Sequence, residues 1–129
     1  MKENKPYLLT FFEREGYTHA TVVSSEINYD IAMDYLREVT EKCRAEGHSR
    51  VLLERDIPAS LDDAQTYAVS RDAAPLLLGL RVACLNKYEH NVASLKFAST
   101  VATNRGAKYE LFDSRSKAEA WLTQGSGQA

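Results

Sequence analysis

A chain of 129 residues is long enough to bury one core without staples and short enough to be a single domain. Its 18 acidic and 16 basic residues give a formal net charge of −2, which argues against sequence-independent nucleic-acid binding and, with no polybasic cluster, against an anionic membrane surface. No apolar run approaches the roughly 20 residues of a bilayer crossing, and Met1–Pro6 offers no secretory apolar segment, so neither membrane insertion nor export is expected and the expected compartment is cytoplasmic.

Tyr7–Glu13 and Tyr17–Ser24 are rich in aromatic and β-branched residues and are separated by Gly16, so the chain is expected to open on an antiparallel hairpin. From Tyr29 to Glu46 the period becomes helical. Ile31, Ala32, Tyr35, Leu36, Val39 and Cys43 share one face, with Asp34, Arg37, Glu38, Glu41 and Arg44 opposite. Asn28 suits the N-cap of this helix, and Gly47 suits the left-handed position beyond its last turn. Arg50–Asp56 contains the unbroken run Val51, Leu52, Leu53, the pattern of a central strand covered on both faces.

Ile57-Pro58-Ala59-Ser60 leaves that strand, and Ser60-Leu61-Asp62-Asp63 resembles a capping signal with Ser60 at the start of a second helix. Leu61, Ala64 and Ala68 share a face of it, and Pro75 predicts a break or restart near Asp72. Gly79 leads into a further apolar strand, Leu80–Asn86. Asn91–Asn104 reads as a helix with Leu95, Phe97, Ala98, Val101 and Ala102 inward, stopped by Gly106. Ala107–Phe112 is the last strand. Asp113 is the expected cap of a final helix that buries Ala118, Trp121 and Leu122. Residues 1–6 and 124–129 have little to bury and are expected to be frayed tails of the single domain 1–129.

The order β-β-α-β-α-β-α-β-α predicts a single α/β domain. It has a mixed five-stranded sheet with helices packed on it, the first strand antiparallel and the rest joined by right-handed crossovers.

Residues that could carry chemistry are few. Cys43 and Cys84 lie in apolar stretches without metal-ligand spacing and read as buried, reduced thiols. His19, His48 and His90 are scattered and are expected at the surface or sheet edges. Without a Gly-rich phosphate loop, nucleophile elbow or zinc spacing, no catalytic residue, metal or cofactor is assigned, and a non-enzymatic role is expected. Asp56 falls at the carboxyl end of the third strand, where open α/β sheets place their sites, and with Asp62 and Asp63 makes an acidic cluster. The alternative is a solvated turn whose carboxylates complement a helix dipole. Ser60 is a helix cap, or a phosphorylation or ligand- and partner-contact site. Arg105 is a candidate anion contact, or a cation suited to a helix C-terminus. Seven tyrosines suit a partner interface or an apolar ligand groove.

The element order, with Asn104-Arg105-Gly106, Phe112-Asp113 and Ala120-Trp121-Leu122, resembles the STAS-like (SpoIIAA-like) family of small bacterial proteins. That family is related in fold to anti-sigma factor antagonists and more loosely to CRAL-TRIO lipid-carrier domains. The resemblance implies a cytoplasmic regulatory or protein-interaction module with a protein partner of unknown identity, and it leaves room for a homodimer. In the antagonists a phosphorylatable serine lies where the loop after the third strand enters the second helix. Ser60 falls near that place, although Pro58-Ala59-Ser60-Leu61 stands where the antagonists have an Asp-Ser-Ser-Gly-like stretch. The competing expectation is a carrier or sensor of a small apolar or anionic ligand, a small molecule or a lipid, which an apolar cavity behind the second helix would favour.

Overall fold

The structure is a computed structural model and describes residues 5–124. Of the tails expected to fray, 1–6 and 124–129, residues 1–4 and 125–129 lie outside the described residues. Strands β1 (Leu8–Phe12) and β2 (Thr18–Val23) form the opening hairpin, with Leu8 opposite Val23 and Phe12 opposite His19. Gly16 turns between them at a φ of +89°, a conformation L side chains rarely adopt. There follow α1 (Tyr29–Ala45), β3 (Arg50–Asp56), α2 (Asp63–Leu77) and β4 (Arg81–Asn86). A single 3-10 turn at Glu89–Asn91 then leads into α3 (Val92–Asn104), β5 (Lys108–Phe112) and α4 (Arg115–Thr123). The sheet order is β1-β2-β3-β4-β5, antiparallel at the hairpin and parallel from β2 to β5. The domain is therefore single and α/β with a mixed five-stranded sheet, in the order the hydrophobic pattern predicts.

Because β2 to β5 are laid down side by side in chain order, right-handed crossovers put all three connecting helices on one face. There α1 packs on α2, and α2 on α3. The main core lies between these helices and the sheet, where Val22, Val51, Leu53 and Ile57 are fully buried. Helix α4, the last described element, folds onto the opposite face, over β3, β4 and β5. It buries Leu52, Ala83, Ala118 and Leu122 in a second, smaller core. Both faces of β3 are thus covered, which is why Val51, Leu52 and Leu53 can follow one another. At nine residues α4 reaches the hairpin only at Tyr17, whose hydroxyl donates to Glu119 at 3.1 Å, while Leu8, Phe12 and Val23 remain exposed.

Several local expectations are corrected. Helix α2 runs without a break through Pro75. The proline sits in its last turn, exposed, so its missing N–H costs one hydrogen bond near the end while buried Ala73, Ala74 and Leu77 hold that turn down. The cap of α2 is Asp62 and not Ser60, its carboxylate accepting from the Gln65 amide at 2.8 Å. Ser114, and not Asp113, caps α4 by accepting from the Lys117 amide at 3.3 Å. In both cases the cap lies three residues before the amide it serves, the only spacing at which a short side chain reaches it. Trp121 is only partly buried, lying between Phe112 at 5.5 Å and the guanidinium of Arg81, which stacks 4.6 Å from its ring. Phe97 is exposed and does not join the inner stripe of α3.

Candidate functional site

Alternation along β3 puts residues 51, 53 and 55 on the face covered by α1, α2 and α3. Two of them are apolar and the third is Arg55. Its side chain ends 5 % exposed inside the main core, at the carboxyl end of a central strand. One guanidinium nitrogen, Nη1, donates to the Ile57 carbonyl at 3.3 Å, and the Tyr35 hydroxyl lies within hydrogen-bonding reach of the group. Among the described residues no carboxylate forms an ion pair with it. Desolvation works against the charge, but the surrounding Tyr35, Tyr109 and Cys84 more than offset it, so the Arg55 pKa is raised and the group stays a cation. A buried charge without a counter-charge carries a desolvation penalty of several kcal/mol.

Arg55 lines a cavity of about 70 Å³ between the three helices and the sheet. The cavity exists because the helix faces that meet there carry short side chains: Thr66, Ser70 and Ala73 on α2, and Ser94, Ala98 and Ala102 on α3. Each set follows helical spacing, so the short side chains stack into a facing pair of shallow grooves. Leu36, Leu61, Val69 and Leu95 complete an apolar wall, and among the described residues Arg55 is the only charged one lining it.

The polar groups around the cavity are already committed. Thr66 donates to the Asp62 carbonyl at 2.8 Å and Ser70 to the Thr66 carbonyl at 2.7 Å, both within α2. Ser94 donates across to the Leu61 carbonyl at 3.5 Å. Asn91, only 1 % exposed, donates through Nδ2 to the Ile57 carbonyl at 2.7 Å, the same oxygen that Arg55 uses. Its Oδ1 accepts from the Ser60 hydroxyl. The Tyr109 phenol and the Cys84 thiol lie close to each other, and burial pushes both pKa values up.

The residues singled out from sequence are distributed as follows. Ser60 lines the cavity from an exposed position and is joined to buried Asn91. Asp62 is the α2 cap and Asp63 an exposed residue of its first turn. Asp56 has the opposite parity from Arg55 and faces the α4 side, where it accepts from the Tyr88 hydroxyl at 2.8 Å and lies 3.4 Å from Lys87 Nζ. The three aspartates are therefore not gathered at one point. Among the described residues no group of three or more His, Cys, Asp or Glu side chains could hold a metal ion. Arg105 follows α3, donates to the Tyr67 hydroxyl at 3.0 Å and stacks on that ring, outside the cavity. Cys43 and Cys84 are fully buried, and desolvation raises both thiols.

Arg55 and Asn91 were not singled out from sequence, and Tyr35 and Tyr109 were named only as two of seven tyrosines suited to a partner interface or an apolar groove. A signal for Arg55 existed: it shares the parity of Val51 and Leu53 in a strand read as buried on both faces. His19 also departs from expectation, being 1 % exposed and not a surface residue. Its Nδ1 accepts from Arg14 Nε at 3.1 Å, which places the proton on Nε2, 2.7 Å from Glu54. Glu54 also accepts from Arg115 of α4.

No family model matches this chain, and no curated protein matches it in sequence. No described helix is long and apolar enough to cross a membrane.

Proposed function

We propose that this domain is a non-enzymatic receptor, a carrier or sensor, for a small organic anion held in the cavity between α2, α3 and the sheet. The observation that carries this reading is Arg55, a buried cation with no ion-pair partner among the described residues and the only charge lining an apolar cavity. A bound anion supplies the missing counter-charge and regains part of the desolvation penalty, while its apolar part is covered by Leu61, Val69 and Leu95. The cavity's position at the carboxyl ends of parallel strands is where open α/β sheets usually bind ligands. A catalytic reading has less support: the thiol and phenols nearest the cation have raised pKa values, so none is poised as a nucleophile or base near neutral pH.

The resemblance to STAS-like proteins adds a regulatory use, and Ser60 is where the two meet. Its hydroxyl is exposed at the edge of the cavity and bonded to Asn91, which shares the Ile57 carbonyl with Arg55. A phosphate on Ser60 brings about −1.5 to −2 charges and removes the hydroxyl proton from that bond, so modification and ligand occupancy compete for the same cation. An interaction surface for a protein partner then reads the outcome.

The test is an amide-resolved NMR titration with acetate, butyrate, inorganic phosphate and sulfate. At least one anion is expected to give saturable shifts confined to Ser70, Asn91, Ala98 and their neighbours, and Arg55→Met is expected to abolish them. Failure of every anion to perturb these residues in the wild type contradicts the reading.

A further inference from the structure

We infer that the ligand class is a short-chain aliphatic monocarboxylate, of about two to five carbons, paired end-on with the Arg55 guanidinium. This rests on the reading of the cavity as an anion receptor and narrows it. Three observations set the class.

The first is charge. Among the described residues Arg55 is the only charged one lining the cavity, so a single negative charge brings the buried site to neutrality and a dianion leaves an uncompensated buried charge. The second is the supply of donors. The hydroxyls of Ser60, Thr66, Ser70 and Ser94 all donate to protein oxygens, and Asn91 Nδ2 donates to Ile57. What those hydroxyls leave facing the cavity is acceptor lone pairs, which repel further anionic oxygens. The donors that remain are the guanidinium edge and the Tyr35 and Tyr109 hydroxyls that line the cavity with it. The two parallel N–H groups of a planar fork match the two oxygens of a carboxylate, whereas a tetrahedral phosphate or sulfate sets further anionic oxygens against those lone pairs and the apolar wall. The amide donors of the α2 N-terminus do not serve those oxygens, because Asp62 caps them and Asp63 adds negative charge beside them.

The third is size and polarity. Beyond the polar end the wall is Leu36, Val69, Ala73, Leu95 and Ala98, which suits methylene groups. A cavity of about 70 Å³ is roughly half the ~150 Å³ of an apolar protein cavity that takes up benzene. A chain of a few carbons fits it. Carbons beyond that have no further apolar wall to cover them and gain little.

The experiment is a calorimetric titration of the full chain with acetate, propionate, butyrate, hexanoate and octanoate, and with butyramide, methylphosphonate and inorganic phosphate. Affinity is expected to pass through a maximum within the two- to five-carbon acids. Butyramide, which lacks the charge, is expected to bind at least about tenfold more weakly than butyrate, the effect of losing a charge-assisted hydrogen bond. Arg55→Lys, which keeps the charge and loses the fork, is expected to weaken butyrate by a similar factor, with circular dichroism confirming its fold. Phosphate or methylphosphonate binding in an Arg55-dependent manner while carboxylates do not overturns this inference and leaves the anion-receptor reading standing. Affinity that climbs steadily to octanoate, or butyramide binding as well as butyrate, overturns the size and charge arguments respectively. Binding by none of these compounds defeats both the inference and the reading on which it rests.

Discussion

Arg55 and His19 are two buried polar residues with opposite states of completion. His19 is satisfied on both ring nitrogens by its own protein, accepting from Arg14 and donating to Glu54. Its pKa is lowered, first by desolvation, against the smaller raising effect of Glu54. Protonation puts a second N–H against the Arg14 donor, so the folded state binds this proton less readily than the unfolded chain does. The sign follows: the contribution of His19 is present above the unfolded pKa of about 6.5 and is lost as pH falls through the lower folded value. Urea unfolding at pH 7.5 and pH 5 should show the wild type losing more stability on acidification than His19→Gln. An equal loss in both proteins assigns the acid sensitivity to other groups. Cys43 and Cys84 are expected to react slowly with a thiol reagent in the native protein and rapidly in denaturant, since burial raises both thiols. Fast labelling of a native cysteine contradicts that placement. The parity of Arg55 with Val51 and Leu53 was available in the sequence. The same alternation put Asp56, next to it, on the other face, and what the sequence lacked was any sign that Asp56 pairs there with Tyr88 and Lys87.

At the scale of elements, the caps separate residues that sequence reading had merged. Asp62→Ala is expected to cost about 0.5–2 kcal/mol through loss of the α2 cap, whereas Ser60→Ala removes no cap and should leave α2 helicity unchanged. Denaturant unfolding of the two variants checks this, and equal losses contradict the assignment of Asp62. Trp121→Ala should cost well under the ~3–5 kcal/mol of a fully buried aromatic, because the ring lies at the rim of the smaller core and Ala118 and Leu122 form its centre. Iodide should quench its fluorescence partly, between free tryptophan and a sealed core residue. The limits of β3 were legible to the residue, from the start of the run Val51–Leu53 after Arg50 to the departure at Ile57-Pro58 after Asp56. The cap positions were not legible, because Ser60 and Asp62, like Asp113 and Ser114, are all good capping residues, and only the helix register selects between them. The break expected at Pro75 did not occur because the loss is a single bond to the preceding turn, while buried Ala73, Ala74 and Leu77 hold that part of α2 in place.

For the whole molecule, alternation of strand and helix carried the topology, and right-handed crossovers then placed α1, α2 and α3 on one face without further information. The cavity was beyond a linear reading. It arises where Thr66, Ser70 and Ala73 meet Ala98 and Ala102 across two helices more than twenty residues apart in sequence, over an arginine from a third element. Short side chains at helical spacing normally mean close packing; only the buried cation beneath them turns the gap into a site. A cation maintained for stability and one maintained for binding respond oppositely to replacement. Ile57's carbonyl keeps its bond from Asn91 when Arg55 is removed, so an apolar residue of similar length leaves no orphaned acceptor there. The most direct measurement is therefore urea unfolding of the wild type and Arg55→Met, each with and without saturating butyrate. The account predicts that without butyrate Arg55→Met is as stable as the wild type or more stable, by up to about 1–4 kcal/mol, and that butyrate stabilises the wild type alone. A variant that is several kcal/mol less stable, with butyrate leaving both proteins unchanged, would contradict it and make Arg55 a structural residue.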